Sequence, residues 1–68
     1  MSKNIKKLTK LLAHWAEHND SHRESFEKWK EVASDEGLDA VAENLSKAIE
    51  KIDQSSEYLR KAHAILEK

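Results

Sequence analysis

Cysteine and proline are both absent from this chain, and Gly37 is its sole glycine. Without cysteine there is neither a disulfide nor a thiolate metal site. So short a chain is left with metal held by histidine or carboxylate, self-association, or long packed helices to stabilise it. Its 68 residues make one domain at most. Sheet structure built on tight turns demands more glycine and proline than this. No apolar run approaches the ~20 residues of a membrane-spanning helix. The first residues, Met-Ser-Lys-Asn-Ile-Lys-Lys, lack the apolar stretch of a secretory signal, so the expected compartment is the cytoplasm. Charge of one sign is lacking too: 12 Lys and Arg stand against 13 Asp and Glu. A nucleic-acid binder needs a basic surface, so nucleic acid is not an expected partner.

What is present favours helix. Ala, Leu, Glu and Lys abound, and all are good helix formers, so the fold class is read as all-α. Gly37 divides the chain almost in half, and Ser34-Asp35-Glu36-Gly37 reads as a helix end with glycine in the left-handed position. Asp39 follows as an N-cap candidate. The expected organisation is a first arm over about 3–34, a turn over 35–38 and a second arm over about 39–67, antiparallel to the first.

Both arms carry a seven-residue repeat. On the second, Leu38, Leu45, Ile52, Leu59 and Leu66 form one row, with Val41, Ala48, Ser55 and Ala62 as the companion row and Ile49 beside them. On the first, Ile5, Leu12, Asn19, Phe26 and Ala33 form one row and Leu8, Trp15, His22 and Trp29 the other, with Leu11 and Val32 flanking. Ser21 with Glu24 has the form of a capping box, which would break the first arm near residues 19–21. The unbroken repeat favours a continuous or kinked arm. A lone hairpin leaves Trp15, Trp29, Phe26 and Ile49 partly uncovered, so a homodimeric four-helix bundle is expected, with a three-helix monomer as the alternative.

The chemically suggestive feature is a row of histidines. His14, His18 and His22 are spaced four apart, which places them on one helix face a turn apart. Two such imidazoles can share a metal ion, and a third ligand is more readily drawn from another helix or subunit than from the far end of the row. Zinc, nickel, copper and cobalt all suit nitrogen ligands. His14-Trp15-Ala16-Glu17-His18 has the H-x-x-E-H form of a zinc-protease motif, but a small helical hairpin has little room for a substrate cleft. Glu17 is still a candidate ligand, and Tyr58 a hydrogen-bond partner for His14. The competing reading is a buried polar layer of Asn19, His22, Ser55 and Ser56, which would fix register at some cost in stability. His63 is read as a partly buried packing residue, and Glu50, Asp53 and Glu57 as a solvated ridge pointing away from the seam. Lys3, Lys6, Lys7 and Lys10, interleaved with Ile5, Leu8, Leu11 and Leu12, make attachment to an anionic membrane surface a minor possibility.

The stretch from His14 to His22, followed by Ser25-Phe26 and Trp29, resembles a family of small, uncharacterised prokaryotic helical proteins with an H-W-x-E-H-N-x-x-H pattern. The resemblance implies that His14, Trp15, Glu17, His18, Asn19 and His22 act as a unit. The functional expectation is a non-catalytic metal-binding helical protein with ligands His14, His18, His22 and Glu17. The alternative is a dimerisation or protein-interaction module with structural or pH-responsive histidines and no metal.

Overall fold

A computed structural model describes residues 2–67 of the chain. It contains two helices, α1 (Lys3–Asp35) and α2 (Asp39–Glu67), folded into an antiparallel hairpin. α1 starts where Ser2 adopts an extended conformation and its hydroxyl accepts the Ile5 amide at 3.1 Å. That bond satisfies one of the amides a helix start leaves unpaired.

The far end of α1 closes as the sequence demands. Gly37 has a positive φ of 78°. Its amide donates to the Ser34 carbonyl at 3.0 Å, and the Leu38 amide donates back to the Ala33 carbonyl at 2.8 Å. These paired bonds, centred on a left-handed glycine, terminate a helix and reverse the chain in a few residues. The Ala42 amide bonds to the Leu38 carbonyl at 3.0 Å, so Leu38 is the residue that precedes α2. Asp39 is therefore the first helical residue and not the N-cap. Its carboxylate lies in the first turn, where it complements the helix dipole.

α1 passes through Asn19-Asp20-Ser21 without a break, and Ser21 caps nothing. Ile5, Leu8, Leu11 and Leu12 before this point and Phe26, Trp29 and Val32 after it keep one continuous register, which outweighs the weak helix preference of the three polar residues. The three-helix alternative falls with that.

The seam between the helices uses one row of each expected pair and replaces the other. Leu12, Asn19, Phe26 and Ala33 line it on α1, with Leu45, Ile52, Leu59 and Leu66 on α2. The companion rows are Ala16 with Arg23, and Ala42, Ile49, Ser56 and His63. Leu8, Trp15, His22 and Trp29 instead stay exposed outside the seam, as does Val41, while Ser55 is exposed at the seam's edge. Among the described residues the buried positions are mostly small: Ala16, Ala33, Ala42 and Ser56, with Leu12 and Ile49 the only large ones. Small side chains let two helices approach closely where tryptophan would hold them apart.

Candidate functional site

The rotated seam gives the hairpin two unlike sides. Positions three and four residues past a seam residue diverge by about 100° around the helix axis, so Trp15 and Ala16 flank Leu12 on opposite sides. On the Ala16 side, ion pairs cross between the helices. Arg23 Nε donates to Asp53 Oδ1 at 2.6 Å, and Arg60 Nη2 donates to Asp20 Oδ2 at 2.6 Å. Arg23 also reaches Glu27 on its own helix at 2.8 Å. The hydrogen bond to Asp53, seconded by the charges of Asp53 and Glu27, raises the guanidinium above its ordinary pKa. Asp53 thus clasps the two helices and does not belong to a purely solvated ridge. Glu57 pairs with Lys61 along α2.

The other side carries little charge, with Lys51 on the outer row of α2 at its edge. On α1 the rows through Leu8, Leu11 and Leu12 contain no Lys, Arg, Asp or Glu, nor do the α2 rows through Leu38 and Val41. Trp15 is 42% exposed and Trp29 57%, and Leu8, Val32, Leu38 and Val41 are exposed with them. The polar groups of this side gather at mid-length. The Asn19 amide nitrogen donates to Ser55 Oγ at 3.3 Å across the helices. The expected polar layer is therefore split: Asn19 and Ser55 meet, Ser56 is buried in the seam, and His22 lies outside it, exposed.

The histidine row climbs the same side of α1. The rings of His18 and His22 are 4.5 Å apart, edge to face, and His22 is 6.1 Å from Phe26 in a stacked orientation. His14 stands apart, exposed, its ring 6.1 Å from that of His18. Glu17 lies elsewhere, lining a surface depression with Leu12, Ala13, Ala16, Arg60 and His63. Among the described residues no three His, Cys, Asp or Glu side chains converge where they could hold a metal ion. His63 is a half-buried packing residue whose Nε2 lies 3.2 Å from Glu67. Tyr58 does not join His14; it sits on the outer flank of α2 beneath Lys61, whose ammonium is 5.3 Å from the ring.

Charge pairing across the seam was the signal that sequence reading missed. Once the turn is centred on Gly37, residues whose numbers sum to about 75 come level, and Arg23 with Asp53 is one such pair. Among the described residues no helix is long and apolar enough to cross a membrane.

Such a molecule is an antiparallel helical hairpin, clasped by ion pairs on one side and nearly free of charge on the other. The chain belongs to the family described as a domain of unknown function (DUF8180), and the match runs over residues 8–66, the histidine row included. No curated protein and no solved structure gives a significant match to it.

Proposed function

We propose that this protein is a self-association module, in which two hairpins pack their charge-poor sides together as a four-helix bundle. The observation that carries the reading is the surface the hairpin leaves open. Its accessible surface is 5455 Å². A compact monomer of this mass exposes roughly 4,400 Å². The excess, about 1,000 Å², is close to the ~800 Å² each partner contributes to a standard interface. The rod-like shape agrees, with a radius of gyration of 15.7 Å against about 11 Å for a compact chain of this length.

A second copy is the occupant that suits this side. The α1 part of the surface carries no charge, so a like surface can cover it without burying one, and the long side chain of Lys51 on the outer row of α2 lets its ammonium stay in water. The surface also has a marked centre. Asn19, His22 and Ser55 lie near the midpoint of the helices, with Leu8 and Trp15 on one side of them and Trp29 and Val41 on the other. A twofold pairing in full overlap puts polar middle on polar middle and apolar ends on apolar ends, whereas a slipped pairing sets imidazole and amide against tryptophan and leucine. The segment from His14 to His22 is, in this reading, the signature segment of the family, because it forms that centre.

Sedimentation equilibrium of untagged, metal-free protein tests the proposal. The expected result is a species of twice the 7.8 kDa chain mass. A monomer at the highest soluble concentration would falsify it.

A further inference from the structure

Resting on this pairing of hairpins, we propose that the dimer holds a divalent transition-metal ion among four imidazoles, those of His18 and His22 and their counterparts in the partner. The two rings of one chain lie 4.5 Å apart, and imidazoles one helical turn apart can both address an ion at ~2.0–2.1 Å from nitrogen. Among the described residues neither ring has a hydrogen-bond partner in its own chain. Two nitrogens are half of a tetrahedral shell, and the hairpin supplies no third ligand beside them.

The symmetry of α1 supplies the other half. Its uncharged surface contains a second a/d seam, made of the row through Leu8 and the row through Leu11. Each residue of one row has a mate in the other at the same distance from Asp20: Trp29 with Leu11, Trp15 with Ser25, His22 with His18. When the partner's α1 lies antiparallel on this seam, about a twofold axis at the level of Asp20, every mate becomes a contact. Each indole then meets a smaller side chain, and each His22 meets a His18. Asp20 is one residue from the midpoint of Lys3–Asp35, so the helices overlap almost fully. A slip of one heptad in either direction sets the imidazoles against Leu11 and Trp15, or against Ser25 and Trp29, and uncovers the ends. The same register that covers the row therefore assembles four imidazoles within about a turn of helix. No charged side chain shares that surface, so the ligand set is all neutral nitrogen, which suits zinc, cobalt, nickel or copper ahead of magnesium or calcium.

The test uses the full, untagged chain stripped with EDTA. Zinc titration by calorimetry should give one ion per two chains, and cobalt(II) should develop the intense visible bands of a tetrahedral site. His18→Ala and His22→Ala should each weaken zinc binding more than about 100-fold, since loss of a partner behind a ligand alone costs about 10- to 100-fold. Both side chains are exposed in the hairpin, so helicity by circular dichroism should be retained. His14→Ala should bind zinc as the parent does. A protein that dimerises in EDTA and takes up no zinc or cobalt overturns the metal site and leaves the pairing intact. A chain monomeric both in EDTA and in zinc overturns both. One ion per chain, or equal loss on His14→Ala, overturns the assignment to a site shared by the pair His18 and His22 of both copies.

Discussion

Trp29 is the sharpest probe of the charge-poor side. It is 57% exposed in the hairpin, and a tryptophan contributes 150–250 Å² of contact when buried, so about 100 Å² per copy remains to be covered. At ~25 cal/mol per Å² that is about 2.5 kcal/mol for each Trp29. A twofold interface carries the substitution twice, so Trp29→Ala can remove up to about 5 kcal/mol of dimer stability. Part of this is lost to imperfect packing, and interface truncations of 2–4 kcal/mol are common at aromatic anchors, so the dissociation constant should rise at least about 100-fold. Sedimentation equilibrium across a dilution series measures this directly. Blue-shifted tryptophan emission that fades on dilution of the parent gives an independent readout. Glu24→Ala, on the charged face of α1, is the control and should leave the constant unchanged. A Trp29→Ala protein that dimerises within about threefold of the parent would refute the reasoning, because it would show that the indole stays in water after association.

Gly37→Ala should cost about 1 kcal/mol in urea unfolding, because φ is 78° and a β-carbon there would meet nothing within 4 Å, leaving backbone strain as the whole effect. Gly37→Asn should recover part of that loss, and an alanine variant as stable as the parent would show that the left-handed turn is not needed. Ala16→Leu should lower stability by about 1–3 kcal/mol, since Ala16 is 3% exposed and the helices meet closely there; a higher melting temperature would reveal unfilled space. Asp53→Asn removes the negative charge opposite Arg23 and leaves only a neutral acceptor, so the variant should be less stable than the parent at low salt, by a margin that shrinks in 1 M sodium chloride; a salt-independent difference would point to packing instead.

The chain reversal was legible because it depends on local chemistry. A lone glycine between two long runs of helix formers leaves one place for a left-handed residue, and Gly37 occupies it. The cap of α2 was misread by one residue because Leu38 and Asp39 are adjacent and only backbone bonding decides between them. Asn19 and Ser55 meet as members of the polar layer expected from the interruptions of the two apolar repeats. Asp53 was placed in a solvated ridge because a carboxylate flanking a seam and one facing solvent leave the same trace in a sequence; the partner Arg23 is 30 positions away.

The misassigned companion rows carry a different lesson. The seven-residue repeat with the largest apolar side chains, Leu8, Trp15 and Trp29, is not the one that joins the two helices of the hairpin. The repeat that does so is built from Ala16, Ala42, Ile49 and Ser56, a weaker hydrophobic signal. Periodicity records every face a helix buries, whatever buries it, and it does not say which partner lies opposite. A helix with one neighbour needs a stripe about two rows wide. α1 has three adjacent rows without a charge, in a chain where 37% of residues are charged, so its width is that of a helix with neighbours on two sides. α2 accounts for one of them. The indoles are set on the side that α2 leaves open; in the proposed pairing they would anchor the second contact, with the imidazoles of His18 and His22 at its centre.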